Sequence, residues 1–336
     1  MKTMAQIAEE AGLSRFTVSK ILKGDNSVRA ENRKRVLELC EKYGFVPNFH
    51  AVNLVSGTSK LIGMIVPYIT DGFYAELIEY AEKYAARRGM GLIYQSSYNS
   101  VKEEARILRS FQGLKVAAIL LVPVVGKANL RILRLAAANL PVIYLDRAVS
   151  EEDSCVLNDN RESCRVLTLH LLEKTREVYF IDSFYRESNP TALARREGYI
   201  DAMTSVGTEP LFIPRCQTKE QQDNERYGYE HIAAFLKKRQ KPPAALCCIT
   251  DSVALGAMRA LRDAGFTPGK DTLVGGHDDL HFCEYTTPTL TSMAQPKEEM
   301  AQIAVDMALN RIADRSLPNE KAVLKSRLIV RDSSVF

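Results

Sequence analysis

The 336-residue sequence predicts an α/β protein, in which a small N-terminal all-α helix-turn-helix domain precedes a doubly wound core of two lobes. Two observations support this fold class. The first 60 residues contain three short helical patterns, two of them separated by a tight glycine turn. Residues 60–336 alternate short apolar runs with amphipathic helical patterns, which indicates parallel sheets covered by helices on both faces. The strands are too many for one compact unit, so we expect two lobes.

The composition is that of an ordinary globular protein, with 46% apolar and 26% charged residues, and it excludes collagen-like and low-complexity classes. The longest apolar run, Val116–Val125, is far shorter than the roughly 20 residues that span a bilayer, so we expect no membrane partner. The seven cysteines show no C-x-x-C spacing, which argues against a disulfide framework or a zinc ribbon. Since the first residues lack the pattern of a secretory signal, we expect a cytoplasmic protein.

The excess positive charge lies entirely at the N-terminus. Residues 1–60 contain ten Lys or Arg and six Asp or Glu, whereas the rest of the chain contains 35 of each sign. A basic module joined to a neutral body is typical of nucleic-acid binding at the basic end. A solvated basic surface explains the charge equally well, so charge alone leaves both interpretations open.

The first and third helical patterns have clear limits. Thr3 and Gln6 form a capping-box pair that starts the first helix, and Gly12 ends it. The third helix is expected over Arg33–Tyr43. The apolar positions expected in the small core are Met4, Ile7, Ala8 and Ala11 in the first helix, and Val36, Leu37, Leu39 and Cys40 in the third.

The second helix carries the most functional information. Ser14 supplies its N-cap, and its apolar face, formed by Val18, Ile21 and Leu22, is expected to point inward. Its outward face then carries Arg15, Phe16, Ser19, Lys20 and Lys23. An arginine can bridge guanine O6 and N7 in the major groove, and a phenylalanine can contact a thymine methyl group. The alternative is that the basic residues contact phosphates only, or are plain surface charge.

The body of the chain shows the strand–helix alternation in detail. The predicted strands are Leu61–Val66, Gly91–Gln95, Ala117–Val122, Val142–Leu145, Val178–Ile181, Ala245–Thr250 and Leu273–Gly276. The predicted helices are Phe73–Arg88, Lys102–Phe111, Asn129–Ala138, Arg161–Leu172, Ala192–Met203, Gln221–Lys238 and Ser252–Ala264. In such folds a ligand binds at the carboxyl ends of the strands, in the cleft.

Several blocks of the N-terminal region occur together in a fixed order. They are Met4–Ser14, Thr17–Gly24, Arg33–Val36, Tyr43–Asn48 and Ala51–Leu54. In this order and spacing the sequence resembles the LacI/GalR family of bacterial transcriptional regulators, and the resemblance extends over essentially the whole chain. It implies a ligand-responsive repressor that binds a palindromic operator in double-stranded DNA as a homodimer. It also implies a core like the periplasmic sugar-binding proteins, a small polar effector such as a sugar, and neither a cofactor nor an enzymatic activity.

The resemblance also implies the domain limits. Residues 1–47 form the helix-turn-helix domain, residues 48–59 a hinge helix and linker, and residues 60–336 the effector-binding and dimerisation core. The first lobe is expected at about 60–159 and 291–320, and the second at about 160–288 and 322–336. The three crossings between the lobes are then expected near Asn158–Asn160, Thr287–Thr291 and Asn319–Ala322.

Residue-by-residue comparison with the family gives the expected DNA contacts. They are Thr3, Ser14, Arg15, Phe16, Thr17, Ser19, Lys20, Lys23, Asn48, Ala51 and Leu54. In the family the hinge enters the minor groove, where a leucine, here Leu54, inserts at a base step and kinks the DNA. The sequence departs from the family at Lys20, where an arginine is usual, and at Arg29, where a serine usually caps the third helix. Ser27 is a candidate replacement for that cap.

The same comparison gives the expected effector contacts. They are Phe73, Tyr74, Asp146, Arg195, Thr250 and Asp278. Carboxylates accept hydrogen bonds from hydroxyl groups and arginine donates several, which suits a polyol or a small anion. The alternative for each residue is a salt bridge or cap within one lobe. His277 replaces the tyrosine that often precedes the second-lobe aspartate, so the identity of the effector does not transfer.

Other chemistry receives little support from the sequence. His277 and His281 have the spacing of a zinc helix, but they follow a strand and lack the catalytic glutamate. No phosphate loop and no G-x-S-x-G elbow is present in the sequence. The alternative functions are a small-molecule receptor of the periplasmic-binding fold without a transcriptional role, and a sugar enzyme on that fold. Because no leucine-heptad tail follows the last strand, a dimer is expected rather than a tetramer.

Overall fold

The computed structural model describes residues 2–22, 25, 27–45, 59–124, 130–183, 189–216 and 223–335. The N-terminal domain consists of three helices: α1 (Met4–Ala11), α2 (Arg15–Leu22) and α3 (Ala30–Lys42). They share a small core built on Ile7, Ala8, Ala11, Val18, Ile21 and Val36. The helix-turn-helix prediction is therefore correct in its elements, and the third helix begins three residues earlier than expected.

The ends of α1 follow the sequence signals. The Thr3 backbone N–H donates to Gln6 Oε1 at 2.8 Å, and the Thr3 hydroxyl accepts from the Gln6 backbone N–H at 3.4 Å, which completes the capping box. Gly12 adopts φ +66°, a left-handed conformation that ends the helix at little steric cost.

Two details of α3 differ from the expectation. Arg29 stands at its N-cap without a side-chain cap hydrogen bond, and Ser27 does not replace that cap, since its hydroxyl faces Lys20 Nζ at 3.5 Å instead. Leu37 was expected in the core but is 50% exposed, because the buried stripe of α3 runs through Val36, Leu39 and Cys40 instead.

The first lobe is a six-stranded, all-parallel sheet in the order β11-β5-β4-β3-β1-β2. Its strands are β1 (Leu61–Val66), β2 (Gly91–Ser96), β3 (Ala118–Leu121), β4 (Val142–Leu145), β5 (Cys155–Asn158) and β11 (Lys321–Leu324). Its helices are α4 (Gly72–Arg87), α5 (Val101–Gly113), α6 (Leu130–Asn139) and α11 (Lys297–Ala313). α4 packs beside α11, and α5 and α6 contribute to a second apolar cluster against the sheet.

The second lobe has a sheet in the order β12-β10-β9-β8-β6-β7, parallel except for the edge strand β12. Its strands are β6 (Val178–Ile181), β7 (Leu211–Phe212), β8 (Ala245–Cys248), β9 (Leu273–Asp278), β10 (Thr291–Ala294) and β12 (Arg327–Ile329). Its helices are α7 (Asn160–Leu172), α8 (Pro190–Ser205), α9 (Asn224–Arg239) and α10 (Asp251–Asp263). Short 3-10 turns cover His281–Glu284 and Asp332–Ser334.

Two of the predicted lobe boundaries are wrong. β10 was assigned to the first lobe, but it pairs with β9 of the second sheet, so the second crossing comes after Ala294 rather than near Thr287–Thr291. β11 pairs with β5 of the first sheet and β12 with β10 of the second, so the third crossing lies between Leu324 and Arg327. The short strand β10 has no long apolar run, which is why the sequence did not reveal it.

Glycines allow two helix pairs of the second lobe to pack very closely. A Cβ on Gly198 of α8 would lie 1.9 Å from the carbonyl oxygen of Arg161 on α7. A Cβ on Gly256 of α10 would lie 1.8 Å from the carbonyl oxygen of Glu225 on α9. Both contacts are with backbone atoms, so a side chain at either position would push the helices apart.

Over the described ranges, no helix combines the length and the apolar character needed to cross a membrane.

Candidate functional site

The outward face of α2 has the exposure expected of a DNA-reading helix. Arg15 and Phe16 are exposed, and Phe16 has 71% of its surface in solvent. Val18 and Ile21, on the opposite face, are buried in the three-helix core. The exposed ring and guanidinium are thus both available to a partner, which the predicted base contacts require.

The start of α2 is fixed by two of the predicted contact residues. The Ser14 hydroxyl oxygen accepts from the backbone N–H of Thr17 at 3.1 Å, and the two hydroxyl oxygens lie 2.9 Å apart. The free amides at this end of the helix form a favourable place for a phosphate group. Ser14 therefore acts as the N-cap, as the sequence predicts, while contact of either residue with DNA stays a prediction.

Lys20 is held at the far end of the same face. Its ammonium lies 3.5 Å from Asp25 Oδ2, 3.5 Å from the Ser27 hydroxyl and 5.3 Å from the centre of the Phe16 ring. An exposed pair of this kind contributes little to stability and is easily exchanged for a phosphate or a base edge. Ser19 beside it is half-buried. Lys23, Asn48, Ala51 and Leu54 lie outside the described residues, so their predicted DNA contacts stay predictions.

A cleft of about 390 Å³ lies between the two lobes. All six residues expected to contact the effector line it: Phe73, Tyr74, Asp146, Arg195, Thr250 and Asp278. Other described residues in the wall are mostly polar, and they include Asp71, Asn99, Arg147, Asn189, Thr191 and Glu225. The volume falls within the range that suits small-molecule sites.

The second-lobe wall is organised around Asp278. Its Oδ1 accepts hydrogen bonds from Gln295 Nε2 at 2.6 Å and from the Arg195 guanidinium and His277 Nδ1 at 3.3 Å each. Among the described residues no hydrogen bond uses Oδ2, which leaves this oxygen as an acceptor. Burial acts to raise the pKa of Asp278, but the Arg195 charge and the donors from His277 and Gln295 outweigh it and hold the pKa below its usual value.

Arg195 is buried and already has partners within its own lobe. Its Nε donates to Asn160 Oδ1 and its Nη1 donates to the carbonyl oxygen of Ile249, both at 2.8 Å. The pair with Asp278 is therefore a salt bridge within the lobe, as the alternative interpretation of the sequence held. Since a guanidinium carries five N–H donors, these contacts do not exhaust it, and Arg195 still lines the cleft.

His277 connects Asp278 to Ser163. His277 Nε2 lies 2.7 Å from the Ser163 hydroxyl, and Nδ1 faces Asp278. Burial and the nearby Arg195 charge lower the pKa of His277 to about 4, so the ring is neutral near pH 7. The order Ser163–His277–Asp278 has the sequence of roles found in hydrolases, but Ser163 is buried and is not among the described residues that line the cleft. A substrate in the cleft therefore does not meet this hydroxyl.

The first-lobe wall centres on Asp146, which ends the strand β4 region with φ +63°. The Tyr74 hydroxyl donates to Asp146 Oδ2 at 3.1 Å. From the second lobe, the Thr191 hydroxyl donates to the Asp146 carbonyl oxygen at 3.3 Å, so the two walls already touch at this point. The Nε of buried Arg147 has no hydrogen-bond partner among the described residues and lies 3.8 Å from Asp146 Oδ2.

The remaining predicted cleft residues have structural partners as well. The Thr250 hydroxyl caps α10 by accepting from the Val253 backbone N–H at 3.3 Å. The Phe73 ring meets the Tyr74 ring edge-on, with centroids 5.2 Å apart. Asp71 caps α4, and desolvation together with the charge of Asp278 raises its pKa to about 7.

Comparison with known proteins gives a consistent result for both regions. The model of "Bacterial regulatory proteins, lacI family" matches residues 3–48, and that of a "Periplasmic binding protein-like domain" matches residues 170–334. The chain is 28% identical to the transcriptional repressor PurR of Pasteurella multocida (strain Pm70), covering 99% of this chain and 98% of the relative. It is also 28% identical to the transcriptional regulator AscG of Escherichia coli (strain K12), covering 100% and 99%.

The chain belongs to the LacI/GalR family. The fold agrees with this assignment: a solved Lac repressor dimer, bound to operator and the anti-inducer ONPF, superposes with a TM-score of 0.86 at 21% identity, covering 100% of this chain and 99% of that one. As a LacI-family protein it is a DNA-binding transcriptional regulator rather than an enzyme. The resemblance seen in the sequence, and the fold class predicted from it, are confirmed.

Several residues that line the cleft of this LacI-family chain were not predicted from the sequence. Arg147 directly follows the predicted Asp146, and Asp71 directly precedes the predicted aromatic pair, so adjacency was an available signal for both. Thr191 and Glu225 carried no such signal, because they reach the cleft only through the placement of the second-lobe helices.

Proposed function

We propose that this LacI-family protein is a ligand-controlled repressor that acts in the cytoplasm and binds a palindromic operator as a homodimer through α2. The observation that supports ligand control most directly is the cleft, whose two walls come from different lobes and present carboxylate and guanidinium groups to the same space. A ligand gripped by both walls favours one arrangement of the lobes by its differential affinity for it.

The proposed DNA contacts divide into two kinds. Arg15 is suited to a bidentate guanine contact and the exposed Phe16 to a thymine methyl group, whereas Lys20 makes a point contact with looser base preference. Two-fold symmetry of the dimer requires two half-sites arranged as a palindrome. The Lac repressor of similar fold was solved as a dimer on operator DNA, which supports this arrangement.

The proposed effector is a small polar molecule such as a sugar or sugar derivative. Asp278 Oδ2 and Asp146 supply acceptors for hydroxyl groups, Arg195 and Arg147 supply donors, and the rings of Phe73 and Tyr74 supply an apolar surface. Operator and effector are then thermodynamically coupled, and each changes the affinity for the other by the same factor.

The proposed DNA binding is tested by selecting binding sites from random DNA with the full-length protein. We expect a palindromic site. Arg15→Ala should relax base preference at one half-site position and cost about 1–3 kcal/mol in binding. Lys34→Ala removes one exposed positive charge that lies on α3 rather than on α2, and it serves as the matched control, with at most a small, sequence-independent loss. A single asymmetric site, or equal losses for both variants, would contradict the proposal.

The proposed effector site is tested with a thermal-shift screen of monosaccharides and disaccharides against the wild-type protein. A compound that raises the unfolding temperature is then titrated into protein on its selected operator. We expect Asp278→Asn to abolish the change in operator affinity while leaving the affinity without compound nearly unchanged. Glu320→Gln is the control, because Glu320 is exposed and is not among the described residues that line the cleft. A normal ligand response in Asp278→Asn would show that Asp278 does not belong to the effector site.

A further inference from the structure

Lys297 occupies the second crossing between the lobes and is only 7% exposed. It is the first residue of α11, a helix of the first lobe. Its ammonium donates to the carbonyl oxygens of Asp278 at 2.8 Å and Asp279 at 3.2 Å, and it pairs with Glu76 Oε2 at 2.6 Å. An ammonium has three N–H donors, so these contacts satisfy all of them.

The position of Lys297 is not explained by the stability of its own helix. The first turn of a helix favours negative side chains, and Glu298 and Glu299 follow that rule, whereas a lysine there faces the positive end of the helix dipole. Burying an ammonium also costs free energy unless it is fully paired. The three contacts made by Lys297 must therefore offset both the unfavourable helix dipole and the cost of burying its charge.

Two of these contacts stabilise an unusual piece of backbone. Asp278 has φ +116° and Asp279 has φ +49°, and residues other than glycine seldom adopt positive φ. Both carbonyl oxygens of this bend reach the same ammonium. The bend begins at Asp278, the last residue of β9, and sets the direction of the Asp278 carboxylate, which lines the cleft.

The third contact ties the bend to the first lobe. Glu76 lies on α4, one turn beyond Phe73, which lines the opposite wall of the cleft. The bend and α4 also pack directly, since a Cβ on Gly72 would lie 3.0 Å from Leu280 Cδ1. One buried ammonium thus joins the carboxylate-bearing bend of the second lobe to the aromatic-bearing helix of the first.

We propose that Lys297 is a positioning residue for the cleft: with Glu76 it fixes the Asp278–Asp279 bend against α4. We call Glu76, Asp278, Asp279 and Lys297 the lobe junction. The junction sets the distance between the Asp278 carboxylate and the Phe73 wall before any ligand is bound. The further idea that this distance selects the effector rests on the proposed function. The positioning role of the lobe junction does not depend on it.

The test is hydrogen exchange of backbone amides in the full-length protein, without DNA or ligand. Lys297→Met removes the charge and keeps an apolar chain of similar length, while Lys297→Arg keeps the charge. We expect Lys297→Met to accelerate exchange on the order of tenfold in the first two turns of α4 and in the segment after β9. Exchange in α5, on the other side of the first sheet, should not change, and Lys297→Arg should restore most of the protection.

Two further variants make the test specific. Glu76→Gln should accelerate the same amides, and combining it with Lys297→Met should add little, because both changes break one junction. Lys83→Met is the matched control, since Lys83 forms an exposed pair with Glu79 on the same helix, and it should leave exchange unchanged.

Three results would overturn the proposal: equal acceleration throughout both lobes, no acceleration in α4, or additive effects of the Glu76 and Lys297 changes. Since DNA and ligand are absent, these outcomes are separate from those of the operator and effector experiments. If no palindromic site were selected, the hydrogen-exchange result for the lobe junction would still hold. If the exchange experiment failed, the result of the operator experiment would still hold.

Discussion

The stability of the second lobe is expected to depend on pH through His277. This side chain is 1% exposed, and burial with the neighbouring Arg195 charge lowers its pKa from 6.5 to about 4. Between these two pKa values the unfolded chain holds a proton on the ring that the folded chain does not. Stability is therefore fully present above about pH 6.5 and falls as the pH is lowered.

The expected magnitude follows from the two pKa values. A shift of one pKa unit corresponds to about 1.4 kcal/mol, so lowering the pH from about 7.5 to about 5 should cost about 2 kcal/mol through this one ring. Other groups also titrate in this range, and they must be separated from His277. His277→Gln keeps a donor for Asp278 and an acceptor for Ser163 but does not titrate, so it supplies the reference.

The assay is urea unfolding followed by far-ultraviolet circular dichroism, on wild type and His277→Gln at both pH values. The free energy of unfolding of the wild type relative to the variant should fall by about 2 kcal/mol at the lower pH. Contributions of the other histidines cancel, because both proteins contain them. A difference that does not depend on pH would show that folding leaves the pKa of His277 unshifted, and one that grows as the pH falls would show that the Asp278 charge raises it; either result would refute the reasoning.

Two further predictions concern packing in the two domains. Gly256→Ala should destabilise the protein by about 3 kcal/mol in thermal or urea unfolding, because the added Cβ meets the Glu225 carbonyl oxygen. Gly113→Ala is the control: an added Cβ there meets nothing within 4 Å, so the change should be neutral or slightly stabilising. Val18→Ala should cost the N-terminal domain about 2 kcal/mol, measured by hydrogen exchange of its amides. Phe16→Ala should leave that stability unchanged but weaken operator binding in a gel-shift titration. If Val18→Ala and Phe16→Ala reduced the protection of the amides from exchange equally, the assigned faces of α2 would be wrong.

Six of the seven strands that the sequence revealed lie in the interior of a sheet, and the seventh, β2, is an edge strand. β1, β4 and β6 have the predicted limits, because each is a run of apolar residues buried on both faces. β11 and β12 alternate exposed and half-buried positions at sheet edges, so they lack such a run. α11 was also missed: three of its seven buried residues are alanines and one is Lys297, which weakens the apolar pattern.

The candidate site was predictable where a residue lies within a sequence motif. Arg195 and Asp278 were located through motifs and do reach the same cleft. The junction formed by Lys297 was not predictable, because it joins residues more than 200 positions apart in sequence and depends on a positive-φ bend. Contacts that arise only when two lobes meet leave no local pattern in the sequence.

The order of the strands has a consequence for synthesis of the chain. β11 and β12 lie within residues 321–329, yet each completes the edge of a different sheet. Because synthesis proceeds from the N-terminus, the N-terminal domain can fold early, whereas neither lobe is complete until these last strands emerge. A nascent chain, or one truncated before Lys321, therefore combines a folded helix-turn-helix domain with two sheets whose β5 and β10 edges are open to pairing with other chains. Such open edges promote aggregation.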